Sequence, residues 1–402
     1  MARVRAALAC FLAYAVMSGM LAPLGIISAP LASYLGVDIA TATAGFSWLT
    51  LGVLGGAVLA LWLLSALPLR ALLVLVYAAI AGLLLSLALA ESATAIGARL
   101  ALVGVLCGLG LPGAAHVIAT TFAAERRTSL LVLTDGAFSM AGVVAGAIAS
   151  RALAAALPWY QVYLAVAAAA AAAAVLFATL PRPEALRAEA IAAVDASTAT
   201  DVEAGQAQSW PVAAWWLIAA LAAYTLGQSS LLLWLPQHAT TLGASLEEGG
   251  ALVGRYWSGM FAAQIVVALV VLRLGERRLL GAAALGTAAG AALLLTGASA
   301  DALLWLVPLW GFANLALLKI VIGFSVSVTQ VTSPRLISAL LLGATTGTAC
   351  GPALSSAVVR MGGISTALLF GIACLVACAT VLLVLLLRSA PRRQRPSPAL
   401  PD

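Results

Sequence analysis

Apolar runs long enough to cross a bilayer follow one another almost from end to end of this chain, interrupted once by a polar stretch. An apolar segment of roughly 20 residues spans the hydrocarbon core as a helix, and inside that core every backbone polar group must be satisfied within the structure. The chain is therefore expected to be an all-α membrane protein. Of its 402 residues 64% are apolar and only 8% charged, where a soluble domain is about a quarter charged. The formal net charge of +6 sits at helix ends and is no nucleic-acid signal.

With Gly, Pro and charge as punctuation, six spans are expected at 6–33, 42–66, 71–90, 97–123, 129–154 and 158–180. Pro181–Ser209 then carries seven charged residues among Pro, Ser, Thr and Gln, and reads as a solvated linker. Six more spans follow at 211–236, 248–272, 278–297, 302–328, 334–357 and 364–388. The expected organisation is an N-terminal six-helix half (1–181), a linker (182–209), a C-terminal six-helix half (210–390) and a tail (391–402).

Orientation follows from Lys and Arg. With the N-terminus inside, 15 of the 20 basic residues fall on the cytoplasmic side, among them Arg3, Arg5, Arg70, Arg126, Arg127 and Arg277. The positive-inside rule thus places both termini and the linker in the cytoplasm. Arg3 and Arg5 resemble the start of a signal peptide, but the apolar run behind them continues past an h-region, which favours a retained first helix.

One carboxylate, Asp135 in LVLTDGAFSMAG (131–142), falls within an apolar span. A charge at membrane depth costs a few kcal/mol on insertion scales, so such residues face a cavity, find a partner or titrate. His116 lies at a similar depth in span four, where it either completes a proton site with Asp135 or is a core histidine bonded to a carbonyl. Lys319 in span ten and Arg255 in span eight are cations in the other half, suited to an anionic solute. For Arg255 the alternatives are snorkelling or pairing with Glu247 or Glu248. For Lys319 the alternative is an ion pair with Asp135 that breaks and reforms during transport. Tyr14 and Ser18, Tyr224, Gln228 and Ser229, Gln264 and Asn314 are uncharged candidates, and glycines such as Gly52, Gly55, Gly56, Gly142 and Gly146 are expected to let helices approach.

The five cysteines lie in apolar runs without C-x-x-C spacing, so neither a disulfide framework nor a metal site is expected, and no cofactor is implied. No H-E-x-x-H, G-x-S-x-G or G-x-x-x-x-G-K-[ST] occurs, which argues against an enzyme or an ATP-driven pump.

LTDGAF (133–138) can be laid over LLLGAT (340–345), echoing one half in the other. Twelve spans in two halves around a cytoplasmic linker resemble the major facilitator superfamily. LLVLTDGAFSMAG (130–142), PWYQVY (158–163), the stretch 224–253 and SPRLISALLLGATTGT (333–348) resemble the TsgA family, relatives of the fucose permease branch. The superfamily's loop signature survives as RLGERR (273–278), with SALPLR (65–70) at the equivalent place. The resemblance implies the major facilitator fold of 12 transmembrane helices, a monomer in the bacterial inner membrane, and spans one, four, seven and ten lining a cavity, which favours Tyr14, Gln228 and Asn314. The expected function is secondary active transport of a small organic anion by proton symport, with Asp135 and His116 handling the proton. Lys319, Arg255, Gln228, Asn314, Tyr14 and Tyr224 would meet the solute. The alternatives are efflux of a metabolite, drug or metallophore, against which the missing Gly-Pro motif in 141–150 weighs, and sugar:proton symport, which lacks its usual acid in span one.

Overall fold

A computed structural model describes residues 2–122, 124–180, 210–297, 299–315, 317–329 and 334–388. The expected linker and tail lie outside them. All regular structure within them is helical. The first half comprises α1 (Ala2–Leu21), α2 (Leu24–Leu35), α3 (Ile39–Gly45), α4 (Ser47–Ala66), α5 (Leu69–Leu85), α6 (Ala93–Thr121), α7 (Ala124–Ala154) and α8 (Leu164–Ala178). The second comprises α9 (Val212–Thr241), α10 (Leu246–Leu274), α11 (Glu276–Leu293), α12 (Ala300–Ala313), α13 (Leu317–Thr329), α14 (Pro334–Gly362) and α15 (Ile364–Arg388). Among the described residues, eleven helical stretches are long and apolar enough to cross a membrane. The remaining expected span, the eighth, is α10, whose 29 residues reach about 43 Å at the helical rise.

Besides an interruption of span two at Phe46, between α3 and α4, two expected spans are broken. Span one divides at Ala22 and Pro23, where the chain turns before α2. Span ten divides between α12 and α13, with Leu315 at φ 44°. Asn314 seals this second break: its Nδ2 donates to the Trp310 carbonyl at 2.8 Å, and its Oδ1 accepts from Thr287 at 3.3 Å.

The two halves repeat one packing scheme. α4 lies on α6 as α10 lies on α12, and α1 contacts α7 and α8 as α9 contacts α14 and α15. Small residues make the first of these approaches possible. A methyl group on Gly56 would overlap the Val105 carbonyl, and one on Gly259 would overlap that of Pro308. Gly52 is packed in the same way, while Gly142 and Gly146 meet Trp257 and Gly254 across the seam between halves. Gly55 departs from expectation, because it points away from the packed seam into open space.

On the face where α1 begins, here the near face, arginines close the last helix of each half. Arg5 and Arg70 donate to the carbonyls of Thr179 and Ala178, and Arg277 donates to that of Leu386 at 2.7 Å. A cation at a helix C-terminus satisfies orphan carbonyls and complements the macrodipole. On the opposite, far face, Asp38 caps α3, with its carboxylate held below its ordinary value by the Thr41 hydroxyl and amide. Ser245 and Glu248 cap α10 reciprocally, each side chain accepting from the other's backbone N–H, at 3.2 and 2.8 Å respectively.

The halves meet along three seams, α7 against α10, α4 with α3 against α14, and α2 against α9 and α10. Toward the far face they are joined by hydrogen bonds. Thr50 donates to the Ala349 carbonyl at 2.9 Å, and Gln237 donates to the Gly25 carbonyl at 2.6 Å and to the Ser28 hydroxyl.

Candidate functional site

Between the halves lies a cavity of about 550 Å³, within the range of small-molecule sites. Its floor, toward the far face, is set by Gly25 and Thr50, next to the bonds that join the halves there. Asp135 on α7 and Lys319 on α13 enter it from opposite halves and form an ion pair, Lys319 Nζ to Asp135 Oδ2, at 2.9 Å. The lysine is 52% exposed and the aspartate 23% exposed, so the cavity reaches both. They are the two charged residues among its described lining. Asp135 also neighbours Tyr14, whose hydroxyl bonds with Thr134 on α7.

Much of the remaining wall is apolar and aromatic. Phe138 of α7 meets Trp257 of α10 edge to face across the seam, with ring centroids 5.5 Å apart. Gln264 donates to the Ser139 hydroxyl at 3.0 Å over the same seam. On α9, Gln228 donates to the buried Tyr256 hydroxyl, and Tyr224 stands beside that pair.

The expected residues divide cleanly. Asp135, Lys319, Gln228, Tyr224 and Tyr14 line the cavity, as do Ser229 and Gln264. Three of the expected site residues are placed elsewhere. His116 is exposed, does not line the cavity and makes no ion pair with Asp135. Arg255 is exposed and donates to the Leu304 carbonyl on α12 at 3.2 Å, rather than pairing with Glu247 or with Glu248, which caps its own helix. Its neighbour Tyr256, one helical step of about 100° away, is the residue turned inward. Asn314 is fully buried in the break of span ten, with both amide atoms bonded. Ser18 is buried away from the lining.

Two helical halves of like packing around one central cavity are the architecture that comparison with known proteins returns. The profile of the Major Facilitator Superfamily matches residues 6–332 and 217–401. The chain belongs to that superfamily. As a superfamily member it is a multi-pass membrane transporter, not an enzyme, and it moves a small molecule. It is 27% identical over 363 residues to the protein TsgA homolog of Citrobacter koseri, covering 89% of each chain. It is 28% identical over 363 residues to the protein TsgA of Salmonella paratyphi B, again covering 89% of each. Among solved structures, a D-xylose-proton symporter aligns with a TM-score of 0.70 at 14% identity, over 94% of this chain and 96% of that one. The nucleoside transporter NupG aligns with a TM-score of 0.69 at 14% identity, over 96% and 100%. Identities this low establish the shared fold alone.

Several lining residues of this superfamily member escaped sequence reasoning. Ser139 stands four residues after Asp135, on the same helical face, and that spacing was the available signal. Thr50, Thr225, Thr348 and Trp257 had none, because hydroxyl and indole groups in apolar helices serve packing as often as cavities.

Proposed function

We propose that this transporter carries a small organic anion into the bacterial cytoplasm by proton symport and alternating access, as a monomer. The observation that supports this reading is the Asp135–Lys319 pair inside the cavity, with one partner from each half. An intramembrane acid exposed to a solute cavity is suited to exchange protons, and a half-exposed lysine beside it is suited to meet an anion. Asp135 is the proton carrier and Lys319 the anion contact; Gln228, Tyr224 and Tyr14 shape the rest of the site. The cavity is complete within one chain, so a single copy suffices. The near face, which carries Arg3, Arg5, Arg70 and Arg277, is cytoplasmic by the positive-inside rule. With the far-face bonds closed, the cavity belongs to the inward-facing half of the cycle.

Thermal stabilisation of the purified protein by sugars, carboxylates, amino acids and metal chelates, repeated with Lys319→Ala, tests the reading, since any ligand of the folded state raises the melting temperature. An anion that stabilises the wild type and not Lys319→Ala is the expected result. A neutral sugar that stabilises both equally would overturn it.

A further inference from the structure

We infer that the solute is a monoanion with an apolar body which replaces Asp135 on Lys319 while Asp135 takes up a proton, so that each turnover moves one anion and one proton without net charge. The inference rests on the proposed function and names its substrate class and stoichiometry.

Among the described lining residues the cavity holds one cation and one anion, already paired at 2.9 Å. An anion entering this site finds no uncommitted positive charge and has to compete with the Asp135 carboxylate for the Lys319 ammonium. A displaced carboxylate left charged in an apolar wall is strongly disfavoured, so it binds a proton from solution. In the exchange the Lys319–Asp135 contact breaks, a Lys319–solute contact forms, and one proton adds to Asp135. The site is neutral before and after. A dianion would leave one charge without a partner, and a neutral solute would not release Asp135. The body of the solute meets Phe138, Trp257, Met260, Leu318 and Leu341, and this wall favours a hydrocarbon or aromatic frame over a polyol.

Other titratable groups on the elements packed against α7 and α13 do not take this role. Tyr14 on α1 and Tyr224 on α9 line the cavity as phenols, and Tyr256 on α10 is buried behind Gln228. Cys10 on α1 is buried and bonds the Ala114 carbonyl. His116 on α6 is exposed outside the cavity. Glu276 on α11 lies against Gly323, a turn along from Lys319, and forms no ion pair with it.

Because proton and anion bind together, each raises the affinity for the other. The test uses the full chain with butyrate, hexanoate, benzoate and phenylpropionate, with benzamide as neutral control and phthalate as dianion. In the wild type a monocarboxylate is expected to bind with an affinity that falls about tenfold per pH unit once the solute-free Asp135 has lost its proton. Asp135→Asn is expected to bind it with no such slope, Lys319→Ala not to bind it, and Lys319→Arg to retain it. Should Asp135→Asn fail to fold, calorimetry of the wild type in buffers of different ionisation enthalpy reads the same quantity, and one proton taken up per anion bound is expected. In proteoliposomes, uptake is expected to follow a pH gradient and ignore an imposed potassium diffusion potential. Binding of benzamide or phthalate in preference to every monocarboxylate, no binding by any of the four, or no proton uptake on binding would each overturn the inference. Anion uptake that is proton-coupled but driven by membrane potential would overturn the stoichiometry and leave the proposed function standing.

Discussion

The Lys319 ammonium and the Asp135 carboxylate lie 2.9 Å apart on helices from opposite halves of the molecule, so their contact holds the halves together at the level of the cavity. Solvent reaches the lysine, which limits the net worth of the pair to about 1 kcal/mol. Asp135→Asn and Lys319→Gln are each expected to lower stability, and the double variant to cost no more than the worse single one. Thermal unfolding across the four proteins gives the coupling energy. Strictly additive losses would mean that the pair contributes nothing to holding the halves.

Adjacent glycines are expected to respond oppositely. Gly56→Ala drives a methyl into the Val105 carbonyl and is expected to cost about 1–3 kcal/mol as an overpacking change. Gly55→Ala meets open space and is expected to be neutral or to stabilise α4 by up to about 1 kcal/mol through helix propensity. Melting temperatures of the two variants decide the matter, and equal losses would contradict the placement of the α4–α6 seam.

Gln237 ties α9 to Gly25 and Ser28 of the other half on the far face. Gln237→Ala removes these bonds, each worth about 1 kcal/mol, and is expected to raise the population open on that face by roughly five- to thirty-fold. Spin labels at the exposed positions Ser33 and Thr241 read the separation. An unchanged distance distribution would show that the latch lies elsewhere.

Asp38 accepts from the amide and hydroxyl of Thr41, which holds its folded-state carboxyl below the ordinary value. The sign follows from linkage: the ionised form is favoured by folding, so its stabilisation is present above the unfolded-state value and fades as pH falls through the lowered one. The stability difference between the wild type and Asp38→Ala is expected to shrink steadily on acidification below about pH 4. A difference that is flat with pH would mean that the cap does not depend on the charge.

Arg255 points out of the cavity to the Leu304 carbonyl, whereas Tyr256 supports Gln228 within it. Arg255→Gln is therefore expected to leave solute affinity unchanged, and Tyr256→Phe to weaken it several-fold, as measured by the stabilisation that the bound solute produces. Loss of binding in Arg255→Gln would return that cation to the site.

Much of the architecture was legible in the sequence because bilayer thickness dictates how long an apolar run must be, and basic residues mark the ends. The spans and the six-plus-six division follow from where polarity falls along the chain. In the echo of LTDGAF by LLLGAT, Leu342 corresponds to Asp135, so the acid belongs to one half. Only the tertiary structure decided which candidates share the cavity. It chose Lys319 over His116 as the partner of Asp135, turned Arg255 outward, and sealed Asn314 into a helix break. The physical reason is that a membrane helix is apolar on every side, since lipid and protein neighbours are alike in polarity. Hydropathy therefore gives the depth of a side chain, while the direction it faces is set by packing between helices distant in sequence.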